Sequence, residues 1–180
     1  MPAQVKPKVT SLLSIQEITK GDEMPIGAWV APPPADVDGI GNPNFITDKY
    51  YQLAKEAGIN ILYGLYENLE RRPEDALAAM NCALRSQLRY LAFSSGIPLK
   101  KSIKEMQTEL TSFCTDHPAY LGVLAYDEPA EAEFDQLEKL ASYYQAVLPD
   151  KLFYANLLPY CAKVTQIKKH KQDESGRPTT

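Results

Sequence analysis

Five short, almost unbroken apolar runs punctuate the chain, and the stretches between them carry apolar residues at helical spacing. The runs are 25–31 (PIGAWVA), 59–64 (INILYG), 89–94 (RYLAFS), 120–126 (YLGVLAY) and 152–156 (LFYAN). Runs of this length, bounded by breakers, read as strands with both faces covered. After the first run come Pro32, Pro33 and Pro34, which cannot continue a central strand. Tyr50, Leu53, Ala54 and Ala57 then fall at i, i+3, i+4 and i+7, predicting a helix over 47–57 with Thr47 as N-cap and Gly58 as the residue that ends it. A second helix is expected from Pro73, with Glu74 and Asp75 in its first turn and Leu77, Met80, Leu84 and Leu88 as its apolar stripe. Ser102 and Glu105 form a capping box for a third, with Ile103, Met106, Leu110 and Phe113 inward. The fourth is expected over 130–148, on a face of Phe134, Leu137, Ala141, Tyr144 and Leu148.

Successive strands begin 34, 30, 31 and 32 residues apart. Strands alternating with helices imply parallel pairing through right-handed crossovers. A (β/α)8 barrel averages about 31 residues per unit. The fold class that follows is α/β: a partial (β/α)8 TIM barrel of about five βα units, truncated before closure. The same spacing also fits an open, doubly wound sheet. The domain occupies 25–162, with an N-terminal arm at 1–24 and a tail at 163–180 that shows neither a helical stripe nor a sixth strand. The tail carries a net charge of +3 and the rest −7, so it reads as disordered or non-native, for instance a frameshifted continuation.

Composition narrows the possibilities. The chain has 180 residues, is 44% hydrophobic and carries a net charge of −4. That charge favours neither a nucleic acid nor an anionic membrane as partner. Cys82, Cys114 and Cys161 have no CxxC spacing, and three cysteines do not make a disulfide framework. No His/Cys/Asp cluster has metal-ligand spacing, and no cofactor is expected. No apolar run approaches the roughly 20 residues of a membrane helix. The first 20 residues lack a signal-peptide core. The expectation is a soluble protein, cytoplasmic, or secreted if a leader precedes it.

In parallel α/β folds the chemistry gathers at the carboxyl ends of the strands. Those ends hold Trp29 after the first strand, Tyr63, Tyr66 and Glu67 after the second, and Ser94 and Ser95 after the third. Asp127 and Glu128 follow the fourth, and Asn156 and Tyr160 the fifth. No glycine-rich phosphate loop follows any strand, which disfavours a nucleotide ligand. Aromatic rings beside carboxylates suit a sugar: rings stack on pyranose faces, and carboxyls bind hydroxyls or move protons at a glycosidic oxygen. Each residue also has a plainer reading. Glu128 can be a first-turn helix acid with Asp127 as its N-cap. Glu67 reads as a solvated loop acid. His117 lies at the opposite end of the fold and reads as structural, and His170 lies in the tail.

Tyr126-Asp127-Glu128-Pro129, at the end of the fourth strand, resembles the acid/base position of the clan A glycoside hydrolases, retaining enzymes on (β/α)8 barrels. The clan's pattern there is Asn-Glu-Pro. Glu128 and Pro129 match it, whereas Asp127 stands where Asn contacts the sugar 2-hydroxyl. From PIGAW through GINILYG to LGVLAYDEP, residues 25–162 also resemble bacterial barrel proteins related to glycoside hydrolases. The resemblance implies hydrolysis of O-glycosidic bonds in complete relatives, with Glu128 as general acid/base and Trp29, Tyr63, Tyr66, Asp127 and Asn156 lining the sugar site. The clan's nucleophile is a Glu ending strand seven, which these residues do not include, so the expectation is carbohydrate binding without turnover. A non-catalytic carbohydrate-binding module, a gene remnant and an open α/β domain that binds a small molecule are the alternatives. Two unpaired sheet edges also predict self-association.

Overall fold

The computed structural model describes residues 24–94 and 115–157. The helix expected from Ser102, most of the arm, and the tail fall outside them, as do Ser95, Cys114, Tyr160 and Cys161. Five parallel strands form one sheet in the order of the chain: β1 (Gly27–Trp29), β2 (Ile61–Tyr63), β3 (Arg89–Phe93), β4 (Tyr120–Asp127) and β5 (Leu152–Asn156). Helix α1 (Asp48–Glu56) joins β1 to β2, α2 (Pro73–Arg85) joins β2 to β3, and α3 (Phe134–Val147) joins β4 to β5. Each strand pairs with its sequence neighbour. A doubly wound sheet would reverse its strand order at a switch point. This sheet does not reverse, and it curls into a half-barrel.

The curl can be read from side chains. Tyr63 on β2 and Tyr154 on β5 are three strand spacings apart, about 14 Å along a flat sheet. Their ring centroids lie 5.0 Å apart. Only a sheet bent toward that face brings them together.

Successive side chains alternate between faces. On the concave face, Ile61, Leu91 and Leu121 are buried beneath Tyr63, Leu152 and Tyr154. On the convex face, Leu62, Tyr90 and Ala92 pack against Tyr51 of α1 and Ala76, Ala79, Met80 and Ala83 of α2. Farther along, Val123 and Ala125 pack against Leu140 and Tyr144 of α3. The hydroxyls of Tyr120 and Tyr144 meet at 3.0 Å, so neither buried phenol is left unpaired.

Helix ends follow local chemistry. Gly58, at φ +85°, ends α1: its N–H donates to Lys55 O and that of Ile59 to Ala54 O, closing a Schellman motif. Helix α2 ends the same way with Gln87 in the left-handed position, at φ +56°. Thr47 is the N-cap of α1 in position, but its side chain makes no capping bond.

The helix faces differ from the sequence stripes. In α1 the fully buried residue is Tyr51, while Tyr50 and Leu53 are exposed. In α2, Ala76, Ala79 and Ala83 are buried with Met80 and Cys82, and Leu77 and Leu84 face out. In α3, Leu140 and Tyr144 are buried while Phe134 is exposed. The physical reason is close approach. The small face of α2 lets the helix lie near the sheet, where Tyr90 and Met80 fill the volume.

Candidate functional site at the strand ends

Trp29 and Tyr63 are the last residues of β1 and β2 and are register partners on the concave face. Their rings lie 5.9 Å apart at 51°. Tyr63 also meets Tyr154 edge-to-face. Such offset and tilted contacts suit the aromatic quadrupole. Gly27 makes room for the row, because a Cβ there would collide with the Tyr63 ring. Burial, then neighbouring Tyr154, pushes the Tyr63 phenol above its ordinary value. Trp29 keeps 48% of its surface exposed, so one ring at the mouth is free to stack on a ligand.

Two residues along β5 from Tyr154, on the same face, stands Asn156. Its Nδ2 donates to Asp127 Oδ1 at 2.9 Å. Asp127 is the last residue of β4 and pairs in register with Asn156. The bond leaves Asp127 Oδ2 available to accept from a ligand hydroxyl. Beyond it, Glu128 has φ +52°, and its N–H donates to Asn156 O at 2.7 Å. A left-handed residue other than glycine stores strain and is held by its surroundings. Here β5 holds it, and the Glu128 side chain is exposed at the rim.

This geometry replaces the plainer reading of the Asp-Glu pair. Asp127 is a strand residue, not an N-cap, and Glu128 precedes the helix. A 3-10 turn at Glu131–Glu133 comes first and α3 starts at Phe134. The Glu133 carboxylate accepts from the Ala130 N–H at 2.7 Å and opens that turn instead.

Tyr66 is half-buried in the β2–α2 loop. It shares the rim with the other residues through its place in that loop. Glu67, expected as a solvated acid, is instead wholly buried. It lies on the convex side, where its Oε1 accepts from the Tyr90 hydroxyl. Burial pushes its carboxyl up to about 7, against the opposing pull of the Tyr90 bond and of loop amides. Nothing local marks this in the sequence, since the partner, Tyr90, lies 23 residues away. Ser94, also a strand-end residue, is buried and donates to Glu70. Tyr154 is the ring that strand-end reasoning missed. It sits two residues inside its strand, and only the curl brings it to the row.

His117 sits at the other end of β4, with Asn81 Oδ1 3.3 Å from its Nε2 and the Ala119 N–H donating to its Nδ1. It is structural, as expected. Cys82 is buried and free. Among the described residues there is no cluster of three or more His, Cys, Asp or Glu that could hold a metal, and no helix long and apolar enough to cross a membrane.

No family model and no curated protein matches the sequence. Among solved structures, the chain resembles one of two plant beta-glucan endohydrolases described for their distinct substrate specificities. The TM-score is 0.46 and the identity 13%, over 70% of this chain. The chain spans 37% of that protein's length.

Proposed function

We propose that the concave rim binds carbohydrate, as part of a glycoside-hydrolase-like barrel in which Glu128 occupies the general acid/base position. The observation that carries this is the convergence on one face of the Trp29–Tyr63–Tyr154 row and the Asp127–Asn156 pair. Rings offer flat apolar surface to a pyranose face, and the carboxylate–amide pair offers acceptors and donors to hydroxyls. Asp127 takes the place of the Asn in the Asn-Glu-Pro pattern and its bond to Asn156 fixes its orientation.

Retaining hydrolysis needs two carboxyls about 5–5.5 Å apart. The five described strands hold Glu128 after β4 and no second carboxyl at the end of a seventh strand, so a polypeptide of these residues alone is expected to bind sugar without cleaving it. The second reading, a purely binding module, also predicts binding and differs in giving Glu128 no part in proton transfer. Turnover of aryl glycosides tests the catalytic half. The expected result is none. Cleavage abolished by Glu128→Gln would overturn the inactivity while supporting the residue, and cleavage retained in that variant would remove Glu128 from the chemistry. A glycan array tests the binding half: retention by the wild type, lost in Trp29→Ala or Tyr63→Ala, is expected. Retention unaffected by both substitutions would place binding elsewhere.

A further inference from the structure

Glu67 belongs to a cluster that the sugar reading does not use. The β2–α2 loop is sewn to the end of β3 at four points. The Gly64 N–H donates to Leu91 O at 2.9 Å and the Leu69 N–H to Phe93 O at 3.0 Å. The Tyr90 hydroxyl donates to Glu67, and the Ser94 hydroxyl to Glu70. The Tyr90 bond depends on a glycine, because a Cβ at Gly64 would collide with the Tyr90 hydroxyl. The same absence of a side chain lets that hydroxyl reach Glu67.

The groups facing Glu67 come from every neighbouring element. Tyr90 on β3 donates to it. Tyr51 on α1 is wholly buried, its hydroxyl has no partner among the described residues, and Glu67 raises its proton affinity. Asp75 on α2 adds a like charge, and Cys82 on α2 acts on Tyr51. No cation faces the carboxyl among these groups. Its second oxygen, Oε2, is buried without a partner among the described residues. The Tyr90 hydroxyl and the loop amides favour a charge there, but no cation pairs it and burial outweighs them.

We propose that Glu67 is a protonation-dependent pin: neutral, it locks the β2–α2 loop onto β3, and ionised, it releases the loop and the rim residue that the loop carries, Tyr66. The effect on ligand binding rests on the carbohydrate reading of the rim, but the pin does not. The cluster sits beneath the rim on the convex side, so Glu67 acts on the site by position and not by contact with ligand. Burial holds the folded acid near 7, whereas a released, hydrated carboxyl returns to about 4.5. Linkage then makes loop opening more favourable as pH rises, by roughly thirty-fold between pH 5.5 and 8.5.

Hydrogen exchange of the unliganded protein tests this. The Gly64 and Leu69 amides are followed across that pH range and corrected for intrinsic exchange. The expected result is a loss of protection of roughly thirty-fold in the wild type, and none in Glu67→Gln. Tyr90→Phe removes a bond that favours the ionised form, so its transition should move to higher pH. That variant keeps the test decisive if the glutamine protein does not fold. Protection that stays flat with pH in the wild type, or a slope that survives in Glu67→Gln, or a transition unmoved in Tyr90→Phe, overturns the pin. Because no sugar is present, failure of the carbohydrate reading leaves this result standing. Oligosaccharide affinity that falls over the same pH range then extends the pin to the site.

Discussion

Glu67 and Glu128 are acids two strands apart with opposite surroundings, and each makes a prediction. Glu67 is buried, and its folded value near 7 lies above the 4.5 of an ordinary glutamate. Between those values the folded state keeps a proton that the unfolded state has released. Stability therefore falls as pH rises from about 4.5 to about 7 and is level above. The size is on the order of 2–3 kcal/mol. Urea denaturation at pH 5 and pH 8 checks it, as the difference between wild type and Glu67→Gln; equal slopes with pH would refute it. Glu128 instead carries backbone strain at φ +52°. Replacing it with glycine relieves that strain and is expected to stabilise by about 0.5–1 kcal/mol. A destabilised Glu128→Gly would mean that the side chain itself holds the turn. The Asp127-Glu128-Pro129 pattern made Glu128 visible in sequence. Nothing local marked Glu67, because its burial is made by Tyr90 and by the absence of a Cβ at Gly64.

In the elements, strand positions were legible and helix faces only in part: Met80, Leu88 and Tyr144 are buried as expected, whereas Tyr50, Leu53, Leu77, Leu84 and Phe134 are exposed. Each apolar run coincides with an observed strand, β4 reaching one residue farther to Asp127, since continuous apolar sequence is what a sheet covered on both faces requires. Helix orientation was misread because leucine weighed more than alanine in the stripe. In α2 the buried face is Ala76, Ala79, Met80 and Ala83. Ala79→Leu should therefore overpack against the sheet and cost about 1–3 kcal/mol. Leu77→Ala, on the exposed face, should stay within about 0.5 kcal/mol. The sequence stripe predicts the reverse order, so chemical denaturation of the two variants separates the readings. Gly122 makes a sharper case at the β4–β5 seam. A Cβ there would run into the backbone of Leu152. Gly122→Ala should cost about 3 kcal/mol, because backbone cannot move aside as a flexible side chain can.

For the whole molecule, the curl is what brings the residues of the proposed site together. A flat five-stranded sheet would keep Tyr63 and Tyr154 apart and leave Asn156 on a distant edge. Curling joins the aromatic row of β1 and β2 to the polar pair of β4 and β5. Strand spacing predicted a barrel segment, but it could not say which side chains would meet across the hollow, and so Tyr154 was missed. The outer strands β1 and β5 also carry exposed apolar residues near their ends, Ile26, Trp29 and Leu157. Exposed strand edges with apolar residues favour association. Sedimentation is expected to show concentration-dependent oligomers, and a single monomeric species across concentrations would contradict that. Sugar binding at the concave rim has a direct reporter in Trp29, the chain's one tryptophan. Titrating the protein with glucan, mannan and xylan oligosaccharides while following Trp29 emission should give a saturable change with at least one of them, abolished in Tyr63→Ala. Emission that stays constant with every oligosaccharide, or a change that persists unaltered in that variant, would contradict the account.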